Sequence, residues 1–215
     1  KKVIFLGPDN SGLNLSAYSA DLKSGQLTQL TKAEGVHNCS LSPDGSKLYD
    51  VYSNLNTPNV CQVINSKNGK QITELIKAEN PLKDHKVSTT EILTLKADDG
   101  TDLHCRMIKP SDFDPTKKYP VLVYVYGGPH AQMVSNRWLA GAPLWMHYQA
   151  EKGYIIFTLD NRGSKNRGFE FENIIHRQLG TVEMEDQMVG VEYLKKQDFV
   201  DADRMAVHGW SFGGF

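Results

Sequence analysis

At 215 residues, 40% of them hydrophobic, the chain is long enough for one large or two small domains with real cores. A net charge of −1, with no Lys/Arg block, leaves no electrostatic footprint for nucleic acid. The longest apolar runs, Val121–Val125 and Tyr154–Phe157, are far short of a bilayer span. Nothing at Lys1-Lys2-Val3 resembles a signal peptide, but the chain opens in mid-pattern and reads as a soluble piece of something larger.

Residues 1–85 read as all-β. Short strand-like pieces are punctuated by turn signals at Ser24-Gly25, Ser42-Pro43-Asp44-Gly45-Ser46 and Asn68-Gly69. A faint repeat, offset by about 44 residues, relates Tyr18–Leu30 to Val63–Leu75, and that period matches one four-stranded blade of a β-propeller. Two blades do not close a propeller, so this region is expected to be the last blades of one. An isolated small β-sandwich is the alternative.

A polar stretch from Lys77 to Lys86, containing Pro81, reads as a linker. Beyond it, residues 86–215 are expected to form the truncated first part of an α/β domain. Glu91–Lys96 and Leu103–Ile108 flank Asp98-Asp99-Gly100-Thr101, a hairpin signature. Val121–Tyr126 and Tyr154–Leu159 are apolar runs expected of strands buried on both faces. Between them Pro143 suits the first turn of a helix to about Lys152, with Gly153 at its C′ position. A further helix is predicted over 183–196, with Met184, Met188, Val191 and Leu194 on one face. Arg204–His208 reads as a short buried strand. Hairpin, strand–helix repeats and then a Gly-x-Ser-x-Gly turn is the order of an α/β-hydrolase sheet.

Cys39, Cys61 and Cys105 lack metal-type spacing. Cys39 and Cys61 fall on the first and third strands of one antiparallel unit, about 10 Å apart and beyond disulfide reach. All three are expected to be buried small hydrophobes. No His pair has ligand spacing, so neither metal nor cofactor is expected.

The chemistry concentrates at Gly209-Trp210-Ser211-Phe212-Gly213-Gly214. A serine centred in Gly-x-Ser-x-Gly after a strand is a nucleophile elbow, because the flanking glycines permit a tight turn that lifts Oγ clear of the sheet. The bare pattern is weak in a chain with 18 glycines; the strand before it gives it weight. Acyl transfer also needs a base, an acid to orient it, and oxyanion donors. One donor is the backbone N–H of Phe212. The other is expected within Tyr126-Gly127-Gly128-Pro129-His130, either a backbone amide or the Tyr126 phenol, an aromatic whose bland role is to cap a strand end. His208 sits on the elbow strand and reads as structural. The triad acid and histidine are expected after Phe215, which would leave these residues alone inactive.

Tyr119–Pro129, Asp160-Asn-Arg-Gly-Ser164, Arg177–Gln187 and Gly209–Gly214 occur in that order, and together they resemble the dipeptidyl peptidase IV branch of the prolyl oligopeptidase family, in a bacterial-type member. The resemblance covers about Glu91 to Phe215, and the propeller-like segment agrees with it. It implies that Ser211 is the nucleophile and Tyr126 the oxyanion tyrosine. Phe212 stands where many members carry tyrosine, which spares its backbone donor. Asp160, Arg162 and Ser164 are implied to hold loops beside the site, and Asp186 to be a buried organiser. The implied activity is release of N-terminal X-Pro, less well X-Ala, dipeptides by a homodimer, periplasmic or secreted. Acylaminoacyl peptidase, carboxylesterase and an inactive hydrolase-like binding protein remain alternatives.

Overall fold

Glycine turns set the register of the first sheet. In the computed structural model, which describes residues 1–215, Gly25 and Gly69 adopt φ of 70° and 72°, conformations that an L side chain resists. Each closes the same turn: Gly25 N–H donates to Asp21 (2.8 Å) and Gly69 N–H to Asn65 (2.8 Å). The sequence repeat therefore corresponds to two β-hairpins.

The chain divides into two units, one of Lys1–Lys83 with Ser135–Gly141, the other of Asp84–Val134 with Ala142–Phe215. In the first unit β1 (Lys2–Pro8), β2 (Leu15–Asp21), β3 (Leu27–Gln29), β4 (Val36–Leu41), β5 (Lys47–Asn54), β6 (Thr57–Asn65) and β7 (Gln71–Lys77) form one sheet. The strands β4 to β7 are an antiparallel meander, and a single parallel pair, Leu15 with Val36, joins them to β2. Ala17, Leu30, Leu48 and Ile64 make the core.

A buried polar cluster accompanies that core. His37 Nδ1 lies 3.0 Å from both Asp50 oxygens, and its Nε2 lies 2.9 Å from the Ala33 carbonyl. Asp50 also accepts from Gln62 Nε2 (2.8 Å) and from the Cys39 thiol (3.3 Å). Cys39 and Cys61 do flank β5, but they are only half-buried, and Cys39 serves as a polar donor rather than as the expected apolar filler. Cys105 is fully buried. The segment Ser135–Gly141 completes the unit: Asn136 N–H donates to Leu13 O (2.9 Å), its Nδ2 to Asn14 Oδ1 (2.8 Å), and its Oδ1 accepts from Leu55 N–H (3.0 Å).

The second unit contains β8 (Thr89–Lys96), β9 (Asp102–Lys109), β10 (Tyr119–Val125), α1 (Leu144–Glu151), β11 (Ile155–Asp160), α2 (Phe169–Asn173), α3 (Val182–Lys195) and β12 (Val200–Gly209). Its sheet runs β12-β10-β11-β9-β8, with β10 parallel to both β11 and β12 and β9 antiparallel to its neighbours. Each face has its own core. Val121, Val123, Ile155, Phe157, Leu159 and Leu194 lie in one cluster, and Ile108, Met146, Ala150 and Ile156 in the other. Pro143 starts α1, and Gly153 follows it at φ 91°. A Cβ at Gly190 would stand 2.8 Å from the Phe157 ring, so this glycine lets α3 settle onto β11.

The expected buried strand at Arg204–His208 needs correction, and α3 buries a mainly polar face. The buried face of α3 is Glu183, Asp186, Gln187, Gly190 and Leu194, while Met184 and Met188 are exposed at 55% and 43%. Hydrogen bonds from buried polar groups, not hydropathy, orient this helix. The strand β12 is not buried: it pairs only with β10, and Val207 is 72% exposed. No helix is long and apolar enough to cross a membrane.

Candidate active site

Two glycines, Gly209 and Gly213, fix the turn at the end of β12. A Cβ on Gly209 would lie 1.8 Å from the Gly213 carbonyl oxygen, and one on Gly213 would lie 2.1 Å from that of Val125. Both positions therefore admit only hydrogen. The chain leaves the strand at Trp210 in extended conformation and turns sharply at Ser211, whose φ is 55°. A non-glycine residue there is strained by about 1–3 kcal/mol, and such strain clusters at functional sites. A 3-10 turn, Ser211–Gly214, follows, with Gly213 N–H donating to Trp210 O at 2.9 Å. Ser211 is exposed. Phe212 is the second residue of this turn, where backbone N–H groups have no acceptor within the helix.

The structure seats this turn on the end of β10. Gly213 packs against the backbone of Val125 and Tyr126. A Cβ on Gly128 would meet the Tyr126 ring at 2.7 Å and Phe212 at 3.0 Å, so Tyr126, Gly128 and Phe212 converge. Tyr126, Gly127, Phe212 and Gly213 share the wall of one groove of about 810 Å³ with Met184, Met188, Met205 and Val207. Trp210 is 77% exposed. His208 lies opposite Tyr124 on β10, and its ring stands 5.8 Å from Tyr124 and 5.5 Å from Trp145. No group of three or more His, Cys, Asp or Glu is placed to hold a metal ion.

Behind the groove the residues 160–164 form a buried polar frame. Asp160 accepts from the N–H groups of Met133 and Val134, both at 2.8 Å. Burial pushes its pKa up to about 7, against the pull of those two donors and of Arg106. Arg162 grips Asp186 of α3 through Nε (3.0 Å) and Nη2 (2.7 Å), and its backbone N–H adds a third donor at 2.7 Å. Its Nη1 reaches Asp99 at 2.7 Å. The hydrogen bonds to Asp186, above all, hold the guanidinium pKa above its usual range. Ser164 Oγ donates to Asn161 O at 2.7 Å.

Sequence reasoning missed Asn161 and Gln187, which link this frame to the turn beyond Tyr126. Gln187 Nε2 donates to Asn161 Oδ1 at 3.1 Å, and Asn161 Nδ2 donates to Gly127 O at 3.2 Å. Both lie inside the blocks that carried the resemblance, but an amide has no hydropathic or charge signature to mark it out.

Comparison with known proteins finds relatives over the whole of the chain. Residues 143–215 match the model of the prolyl oligopeptidase family. Over its whole length the chain is 32% identical to dipeptidyl peptidase 8 of Mus musculus, of which it spans 25%. Over 138 residues it is 41% identical to prolyl endopeptidase FAP of Bos taurus, covering 64% of this chain and 18% of that protein. Among solved structures, a protein from Bacteroides ovatus described as a dipeptidyl aminopeptidase IV superposes with a TM-score of 0.92 at 46% identity, over all of this chain and 30% of that one. Porphyromonas gingivalis dipeptidyl peptidase 4 follows with a TM-score of 0.90 at 32% identity, over 99% of this chain and 30% of that one. The chain thus spans about a quarter to a third of these two full-length matches and of the curated peptidase 8. It belongs to the prolyl oligopeptidase family.

Proposed function

We propose that the protein carrying this chain is a serine dipeptidyl peptidase that releases N-terminal X-Pro, and less well X-Ala, dipeptides through an acyl-enzyme on Ser211. In this reading residues 1–85 are the last blades of a β-propeller, and 86–215 are the first half of an α/β-hydrolase domain ending at its nucleophile elbow. The strand order β12-β10-β11-β9-β8, with β9 antiparallel among parallel neighbours, supports that assignment. The observation that carries the proposal is the exposed Ser211 at φ 55°, seated directly on the strand end that bears Tyr126.

The chemistry follows from that arrangement. Ser211 Oγ attacks the scissile carbonyl while a base takes its proton, and the carbonyl oxygen becomes an oxyanion. The N–H of Phe212 and the phenol of Tyr126 donate to that oxygen, where the charge develops. Collapse expels the leaving peptide with a proton returned from the base, and water then hydrolyses the ester. We assign the base and its orienting acid to residues following Phe215. His208 packs with Tyr124 and Trp145 and takes no part.

The test uses the full-length protein. A fluorophosphonate probe should label it once, and Ser211→Ala should lose both labelling and turnover of a Gly-Pro arylamide. Persistent labelling of Ser211→Ala would move the nucleophile elsewhere. Turnover of an acetyl-amino-acid arylamide or a short ester in place of Gly-Pro would replace the dipeptidyl peptidase with an acylaminoacyl peptidase or an esterase. Homodimerisation and a periplasmic or secreted location are proposals on the resemblance alone, checked by sedimentation and by cell fractionation.

A further inference from the structure

Asn161 is 1% exposed and stands immediately beyond β11. Its Nδ2 donates to two carbonyl oxygens, Gly127 at 3.2 Å and Arg162 at 2.6 Å. Its Oδ1 accepts from Gln187 Nε2 at 3.1 Å, and the same Nε2 donates to Leu159 O at 3.1 Å. These partners fix the amide's orientation, because a flip would set its oxygen against two carbonyls. Gln187 is in turn anchored on α3, one residue after the Asp186 that Arg162 clamps. Its Oε1 is buried without a partner, a cost that an apolar residue in its place would avoid. The supported atom is the carbonyl of the residue that follows Tyr126, at a φ of 71°. A rotation of that peptide would move Gly128, which lies against both the Tyr126 ring and Phe212, and would so disturb the seat of that ring.

We propose that Asn161 is a positioning residue: backed by Gln187, it holds the Gly127 carbonyl and thereby aims Tyr126 at the oxyanion. The inference rests on the reading of Tyr126 as an oxyanion donor. Asn161 itself touches no reacting atom. Its effect on rate must therefore pass through Tyr126, and a merely structural asparagine would show no such dependence.

A double-mutant cycle on the full-length protein tests it, with Gly-Pro p-nitroanilide as substrate and thermal unfolding as a check on folding. Tyr126→Phe should lower kcat about 10²–10³-fold with KM little changed. Asn161→Ala should lower kcat about 10-fold with KM within about twofold, as expected of a misaimed group. In the Tyr126→Phe background Asn161→Ala should cost less than about a further twofold. Losses that multiply would overturn the proposal, as would an Asn161→Ala protein of lowered Tm and unchanged kcat. If Asn161→Ala does not fold, Gln187→Met removes the donor to Asn161 at similar shape and is held to the same comparison. An unchanged kcat in Tyr126→Phe would overturn the oxyanion reading itself, and with it any role in aiming that phenol. That outcome is distinct from one in which Tyr126→Phe is slow and Asn161→Ala is not.

Discussion

Removing the Asp186 carboxylate should be the most damaging single change in the frame behind the groove. The Asp186 side chain is 1% exposed and that of Arg162 10%, so neither charge has water to fall back on. In Asp186→Ala the guanidinium keeps only Asp99, itself 48% exposed, and loses the contacts at 3.0 and 2.7 Å. Breaking a buried pair from one side costs about 3–5 kcal/mol, since the survivor remains desolvated. The Arg162 backbone N–H, which donates to Asp186 at 2.7 Å, is orphaned as well, adding about 1–3 kcal/mol. The residual Asp99 contact offsets part, giving about 4–6 kcal/mol, a large share of the 5–15 kcal/mol typical of a folded domain. Replacing both partners, as Arg162→Met with Asp186→Leu, should recover all but about 1–2 kcal/mol, because nothing charged is then left buried. Equilibrium urea unfolding followed by circular dichroism measures the three proteins. A loss below about 1 kcal/mol in Asp186→Ala, or a double variant no better than the single, would refute this account.

Gly209→Ala should abolish activity and fluorophosphonate labelling, since its Cβ would stand 1.8 Å from Gly213 O and the turn cannot yield without moving Ser211; wild-type labelling would show that the turn tolerates a methyl. His147 gives a pH signature. Burial, followed by the Arg106 charge, pushes its pKa down to about 4, while its Nδ1 meets Ser88 Oγ at 2.8 Å. The folded state thus disfavours the charged form, so this group's stability is present above about pH 6.5 and is lost as pH falls from there to about 4. Halved for solvent screening, the loss is about 1–2 kcal/mol. In His147→Leu the urea midpoint should fall less than the wild type's between pH 7.5 and pH 4.5, and equal falls would remove His147 as the cause.

Much of the fold was legible because backbone constraints write themselves into residue types. The two related hairpins were visible since Gly25 and Gly69 must occupy positive φ, and no other residue does so cheaply. The hairpin at Gly100 and the end of α1 at Gly153 were visible for the same reason. The fully buried β11 announced itself as an apolar run. Hydropathy does not tell which face of α3 is buried, because it ranks Met184 and Met188 above Asp186 and Gln187. The helix is instead turned by a carboxylate that needs Arg162 and an amide that needs Asn161. At β12 apolar composition does not coincide with burial, since the strand pairs only with β10 and Val207 faces an open groove.

The site divides along the same line. Ser211 and its glycines carry a steric requirement, and a steric requirement leaves a spaced pattern. Tyr126 was legible only as one of two possible donors in its loop, and the acidic partner of Arg162 only through resemblance, because an aromatic at a strand end or an acid in a helix has many ordinary uses. Asn161 entered by neither route. Its work depends on Gly127, 34 positions earlier, and on Gln187, 26 positions later, and such pairing exists only once β10, β11 and α3 are side by side. A turn is specified by neighbours in sequence and can be read from them. The aim of a phenol is specified by neighbours in space, so the residues that set it stay silent until the sheet has formed.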